Sequence, residues 1–341
     1  MREPAFWHRP ASWQSRLLSP LSTLYGAVAA RRMAQGGVDA GLPVICVGNF
    51  HVGGAGKTPT VLALTDILRD LGERPVVLSR GYGGRLGGPV VVDPAVHEAA
   101  DVGDEPLMMA ARVPVVVARN RADGIGLVKA QGATVILMDD GFQNPSITKD
   151  LALIVIDGAR GLGNAEVFPA GPLRAPLPPQ LARTDALVVI GSGRASEAVA
   201  SHVLSAGKPV FSAALQPDPQ IVAALRGRPL LAFAGIGDPA RFFRTLRGAG
   251  LDVRRERTFP DHHPFTAGDV VALANEARRD GFALVTTEKD LVRFRGHEAA
   301  PDVMAFPVTL QFDDLAALRA LVVQRLSAKR KDQPLAFNAP G

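Results

Sequence analysis

Short apolar runs separated by longer stretches with helical spacing set the rhythm of this chain. Val44, Ile45, Cys46 and Val47 form one such run, ended by Gly48 and Asn49. Others lie at 75–79 (PVVLS), 114–118 (PVVVA), 134–139 (TVILMD), 151–157 (LALIVID) and 186–190 (ALVVI). They are continuous rather than alternating and rich in Val and Ile, which predicts strands covered on both faces. Helical stretches fall between several of them, near 58–71, 105–112 and 121–131. In the first of these, Leu62, Leu64, Ile67, Leu68 and Leu71 share one side. The alternation predicts an α/β fold, a mostly parallel sheet flanked by helices.

A second, smaller α/β pattern starts near Pro229. It has strands at 230–234, 282–287 and 303–310 and helices near 238–249, 266–279 and 313–326. Between the two patterns, 168–180 (FPAGPLRAPLPPQ) is proline-rich and predicts neither helix nor central strand. A helix near 195–205 and a strand near 209–214 follow. At the start, Trp13, Leu17, Leu18, Leu21, Leu24, Tyr25 and Val28 recur at helical spacing. Ser19 before Pro20 reads as an N-cap and first helical position, so two short helices fit as well as one. The expected organisation is an amphipathic segment over 1–36, a core over 37–215, a smaller domain over 216–330 and a disordered tail over 331–341.

The strand at 44–47 leads into the glycine-rich HVGGAGKT and then a helix. Strand, loop and Gly-Lys-Thr at a helix start are the context of a phosphate-binding P-loop, which makes the expected fold P-loop NTPase-like. Glycines let backbone N–H groups approach phosphate oxygens, and the helix N-terminus adds unpaired donors. Lys57 would reach the β- and γ-phosphates and the Thr58 hydroxyl would bind Mg²⁺. His51 stands where the general pattern opens with glycine.

Composition narrows the setting. The 341 residues suggest two domains, and one cysteine, Cys46, rules out an internal disulfide framework. The net charge of +5 suits nucleic acid, an anionic lipid surface or a phosphorylated substrate. No basic run interleaved with aromatics supports nucleic acid. No apolar run approaches the roughly 18 residues that span a bilayer. Within 1–36, Arg2, Arg9, Arg16, Arg31 and Arg32 flank the apolar stripe. That suits an interfacial helix on an anionic membrane, or equally a helix packed on its own domain.

The remaining polar motifs follow strand ends, where ligands sit in such sheets. DDGFQ ends an apolar strand, so Asp139 or Asp140 fits a Walker-B carboxylate beside Gln143. GDEP places Asp104 and Glu105 at a helix start, as dipole-favoured acids or as a base and a metal ligand. SRGYGG offers Arg80 and a flexible turn, ARNR offers Arg119, Asn120 and Arg121, and the proline-rich loop offers Arg174. In FPDHHPF, adjacent His262 and His263 lack the partners of a zinc site, and a loop histidine assisting a base fits better. TTEKD carries Lys289 but not the Asn-Lys-x-Asp order of a guanine reader.

In this order, VGN…VGGAGKTP, SRGYGG, GDEP, DDGFQ, FPAGPLR, DHHPF and TEKD resemble the tetraacyldisaccharide 4′-kinases, the lipid A kinases of Gram-negative bacteria, over essentially residues 10–326. The resemblance implies transfer of the ATP γ-phosphoryl group, with Mg²⁺, to the 4′-hydroxyl of a tetraacylated glucosamine disaccharide 1-phosphate. It also implies work at the cytoplasmic face of the inner membrane, as a peripheral or monotopic protein anchored partly by its N-terminal helix. The partners expected are the lipid A precursor and an anionic membrane surface, with no nucleic acid and no obligatory protein partner. By motif position, Gly53, Gly54, Ala55, Gly56, Lys57 and Thr58 would hold the nucleotide. Thr58, Glu105, Asp139 and Asp140 would serve the metal. Asp104 matches the family's base and His262 its partner, while Lys57 contacts the phosphates in catalysis. Arg80, Asn120, Arg121, Gln143 and Arg174 are the substrate-binding candidates, with the smaller domain closing over the cleft. A competing reading, a regulatory or partition P-loop ATPase, is disfavoured because this loop lacks the extra early lysine of many such proteins.

Overall fold

The computed structural model describes residues 3–10, 12–294 and 302–332. Its strands in chain order are β1 (Val44–Gly48), β2 (Pro75–Ser79), β3 (Val90–Val91), β4 (Val115–Val117), β5 (Val135–Asp139), β6 (Leu151–Asp157), β7 (Ala186–Ile190), β8 (Val210–Pro217), β9 (Pro229–Ala234), β10 (Asp252–Thr258), β11 (Ala283–Thr286), β12 (Val303–Ala305) and β13 (Val308–Phe312). Among the described residues they make a nine-stranded sheet, ordered β13-β8-β7-β6-β1-β5-β2-β4-β3, and a four-stranded sheet, ordered β10-β9-β11-β12. The small sheet is parallel throughout, and the large one is parallel except at its two edge pairs, β3 with β4 and β13 with β8.

The central strands are apolar at nearly every position because both faces are covered. Ile45 and Val47 of β1 join one core with Val61, Leu64 and Leu68 of the helix Lys57–Asp70. Val44 and Cys46 join the other, with Ile136, Met138 and Ile154. Successive side chains of a strand point to opposite faces, so a strand between two helix layers has no solvent side to make polar. β1 lies centrally between β5 and β6, which puts the loop after it at the middle of the sheet's carboxyl edge.

Several expectations change. The run at 303–310 is two strands in two sheets. Pro307 separates them, and β13 returns to pair with β8. The small sheet is therefore inserted between β8 and β13, with Asp218 N–H donating to the Pro307 carbonyl at 3.0 Å where the chain leaves and re-enters. The closing helix Leu315–Lys331 also belongs to the large sheet, burying Leu318, Val322 and Leu326 in its core. It extends past the expected end near 326; the tail expected from 331 lies, from residue 333, outside the described residues. The proline-rich stretch holds a short helix, Leu177–Ala182, whose prolines sit in the first turn where a missing N–H costs nothing. β10 reads DVRRERT and escaped notice because, as an exposed edge strand, it has no apolar pattern.

The N-terminal segment forms one helix, Trp13–Met33, capped by Ser12 rather than Ser19, with Pro20 inside it. Its body-facing side is small and polar. Asn164 Nδ2 donates to Ser15 Oγ at 3.1 Å and Ala170 N–H to Ser22 Oγ at 2.9 Å. A Cβ on Gly26 would lie 3.2 Å from Pro176 Cγ, so the helix rests directly on the 164–176 loop. The apolar stripe instead points outward, with Trp13 71%, Leu17 70%, Leu24 66% and Val28 62% exposed. No described helix is long and apolar enough to cross a membrane.

Candidate active site

The loop after β1 is built by its glycines. Gly53 and Gly56 have φ of 105° and 97°, a region that side chains with a Cβ avoid. Gly56 is the N-cap of the helix Lys57–Asp70, so the first free N–H groups of that helix open into the loop. Asn49 Nδ2 donates to Gly53 O at 3.1 Å and pins the turn. His51, the departure from the P-loop pattern, is buried. Its backbone bridges to Leu173 and its Nδ1 sits 2.8 Å from Val52 O. Burial, the largest effect on it, depresses its pKa to about 4, so the ring is neutral at neutral pH.

β5 lies beside β1 with Asp139 opposite Val47, which carries the two Walker-B acids to the loop. The structure separates their roles. Asp140, at φ 47°, is gripped by Arg174 (Nη1–Oδ1 2.7 Å, Nη2–Oδ2 3.1 Å) and faces Lys57 Nζ at 3.7 Å. Burial pushes its pKa up, but Lys57 and Arg174 outweigh this and hold it well below the carboxylate range. Asp139 is 2% exposed, and its buried Oδ1 has no hydrogen-bond partner among the described residues. Burial first, then the nearby Glu105 and Asp140, push its pKa up to about 7. A buried carboxylate raised by other acids is a site short of positive charge.

That observation tests the metal. Among the described residues no three His, Cys, Asp or Glu side chains lie close enough to hold an ion unaided. One hydroxyl and two carboxylates, from Thr58, Asp139 and Glu105, are instead the hard-oxygen set suited to Mg²⁺ arriving on nucleotide phosphates. The residues present fit it.

The opposite side of the cleft comes from both sheets. Gly103, at φ 92°, starts the helix Asp104–Ala110. Asp104 is 4% exposed, and its Oδ1 accepts from Glu105 N–H at 2.9 Å. Its Oδ2 lies 2.9 Å from His262 Nδ1, 3.3 Å from Arg293 Nε and 3.9 Å from Lys289 Nζ. Burial raises the Asp104 pKa, yet the His262 hydrogen bond and the Lys289 and Arg293 charges bring it below the ordinary value. His262 has φ 58°, a strained backbone for a non-glycine residue, and its ring rests on Tyr82 at 5.4 Å. His263 does something else: it is stacked on Phe259 at 4.9 Å and lies 3.1 Å from Asp269.

The substrate candidates divide. Arg80, Arg119 and Asn120 are exposed. Two others, Arg121 and Gln143, turn inward and bond to the protein itself rather than standing free for a substrate. Arg121 is 3% exposed and donates to the carbonyls of Asp139 (3.0 Å) and Asp140 (2.8 Å), so it shapes the Walker-B turn from beneath. Gln143 donates to Asn49 O at 2.7 Å and Gln180 Oε1 at 2.9 Å, holding the start of the P-loop. Arg174 is committed to Asp140. Lys289 of TTEKD pairs with Glu105 at 3.1 Å across 184 residues of chain. Arg293 lies outside every motif read from the sequence, because an arginine on a charged helix carries no signal of burial, and Asp290, the last residue of TTEKD, gave no sign there of its own burial.

The family model described as tetraacyldisaccharide-1-P 4′-kinase matches residues 14–327. A tetraacyldisaccharide 4′-kinase of a Bradyrhizobium strain is 75% identical over 345 residues, covering 100% of both chains. That of Nitrobacter hamburgensis is 65% identical over 335 residues, 97% of this chain and 100% of its own. A crystal structure of LpxK from Aquifex aeolicus in complex with ATP superposes with a TM-score of 0.73 at 29% identity, over 92% of this chain and 99% of that one.

Proposed function

The chain belongs to the tetraacyldisaccharide-1-P 4′-kinase family, and from that premise we propose that the Asp104–His262 pair and the loop of Lys57 and Thr58 divide its chemistry between them. The reaction is ATP-dependent phosphorylation of the lipid A precursor: the γ-phosphoryl group passes to the 4′-hydroxyl of a tetraacylated glucosamine disaccharide 1-phosphate. The sugar hydroxyl is a weak nucleophile, and phosphoryl transfer depends chiefly on alignment and charge neutralisation.

Lys57 and the backbone N–H groups from Gly53 to Thr58 receive the triphosphate. Arg174 and Lys57 cancel the Asp140 charge, so this acid does not repel the phosphates. Thr58, Asp139 and Glu105 would hold Mg²⁺, which when bound offsets the negative charge of the phosphate oxygens. The Asp104–His262 pair takes the hydroxyl proton as the new O–P bond forms. Asp104 holds the Nδ1 side of the ring, and His262, with its side chain 30% exposed against 3% for Asp104, is the member that meets the cleft. The observation that carries this assignment is the 2.9 Å contact itself, made between the start of the helix Asp104–Ala110 and the turn that follows β10 of the small sheet.

The test is transfer of label from γ-labelled ATP to the lipid. Asp104→Ala lowers turnover by about 10²–10⁴-fold and leaves ATP affinity close to that of the parent. Unchanged turnover removes the pair from this role.

The setting extends the same reading. The exposed stripe of Trp13, Leu17, Leu21, Leu24 and Val28, flanked by exposed Arg9, Arg16, Arg31 and Arg32, suits the anionic cytoplasmic face of the inner membrane. Leu17→Asp with Leu24→Asp weakens sedimentation with anionic vesicles while the melting temperature stays put. Undiminished sedimentation excludes this face as the contact.

A further inference from the structure

We propose that Arg293 is the positioning residue that joins the two halves of the Asp104–His262 pair, an inference that rests on the reading of that pair as the proton acceptor. Arg293 lies in the last turn of the helix Glu288–Phe294, and its side chain is 6% exposed. One guanidinium touches both sheets' contributions. Nε lies 3.3 Å from Asp104 Oδ2 as an ion pair, while its N–H donates to Lys289 O at 3.4 Å. Nη1 donates to His263 O and Nη2 to Gly235 O, each at 3.0 Å. Gly235 O also accepts the His262 N–H at 3.1 Å. Arg293 therefore grips the carboxylate directly and the His262 turn through two carbonyls, one following His262 and one bonded to its own N–H.

The His262 turn needs such a grip. A non-glycine residue at φ 58° persists only where its surroundings over-determine it. The guanidinium is in turn fixed by Asp290, wholly buried, which accepts from Arg293 Nη2 (2.6 Å), Thr287 Oγ1 (2.7 Å) and Gly235 N–H (3.1 Å). A planar fork of donors reaches a carboxylate and two carbonyls at once, which an ammonium on a flexible stem does not. Lys289 on the same helix adds its contact to Glu105. The nucleotide loop shares none of these bonds, so loss of Arg293 misaligns the proton acceptor and spares ATP binding.

The experiment compares kcat and the KM for ATP in Arg293→Met, Arg293→Lys, Asp104→Asn and the Arg293→Met/Asp104→Asn double variant of the full chain, with melting curves for each. Arg293→Met is expected to lower kcat by about 10²-fold with the ATP KM within about threefold, as misplacing a reacting group does. In the Asp104→Asn background the same change costs less than about threefold more, because the two act as one unit. Additive losses, a parent-like kcat, or an ATP KM that rises as far as kcat falls overturns the inference alone. Parent-like turnover in Asp104→Asn overturns the pair, and this inference with it. Should Arg293→Met fail to fold, Arg293→Lys decides: a kcat at least about tenfold down at parent-like ATP KM is expected, since the charge remains and the fork is gone, and a parent-like kcat overturns the inference.

Discussion

On one side of the proposed site, the residues we assign to the nucleotide, Gly53 to Thr58, are a single unbroken segment between β1 and its helix. On the other, Asp104 and His262 meet across 158 residues of chain, one from each sheet, and Arg293 reaches both. The first wall is shaped by local backbone conformation: left-handed glycines, a helix end and a strand register. The second exists only when the two sheets are docked. The proposed proton acceptor therefore needs residues of both sheets, whereas the loop from Gly53 to Thr58 needs only the large one.

The sharpest way to separate the walls is to break the first alone. Lys57→Ala removes the cation facing the phosphates and lowers turnover by about 10³-fold, the scale of losing one transition-state donor. Unlike Asp104→Ala, it also weakens ATP binding, measured by nucleotide titration. Equal ATP affinity in both variants would erase the distinction.

Gly56→Ala probes whether local backbone shape is what builds the loop. A Cβ there would sit 2.6 Å from Ile190 Cδ1 at φ 97°, and the left-handed conformation costs a residue with a Cβ about 1–2 kcal/mol. Gly54→Ala, with nothing within 4 Å and no left-handed φ, leaves the denaturation midpoint in place. Matching midpoints for the two variants argue against a loop set by glycine conformation.

The smallest expected effect concerns His51, in the first wall. Its folded pKa of about 4 lies below the ordinary histidine value near 6.5. The unfolded chain therefore takes up a proton that the folded one refuses, and stability falls as pH drops from about 6.5 towards 4. His51→Asn loses part of that acid sensitivity, read as a shallower fall in melting temperature over this window. An unchanged slope shows that His51 does not titrate this way.

Much of the large sheet was legible because burial on both faces forces uninterrupted Val, Ile and Leu runs, and β1, β2, β5, β6 and β7 all carry them. The P-loop was legible because Gly-Lys-Thr after a strand is a local requirement of phosphate binding. Residues 303–310 misled because an apolar run states that a strand is buried, not which sheet buries it. Arg121 and Gln143 misled for a related reason. Both follow strand ends, as ligand contacts do, yet their donors satisfy carbonyls of the turns that hold the acids and the loop.

Chain order alone was enough to dictate the central strands, the helices between them and the glycine-rich loop after β1, since these rest on interactions between near neighbours. Tertiary structure settled the rest. Packing among the large sheet's own loops set Lys57 and Arg174 on Asp140 and turned Arg121 inward, and docking of the second sheet brought His262, Lys289 and Arg293 to Asp104 and Glu105. Those outcomes depend on charges and carbonyls that meet only after folding, over separations of chain at which residue order carries no geometric information.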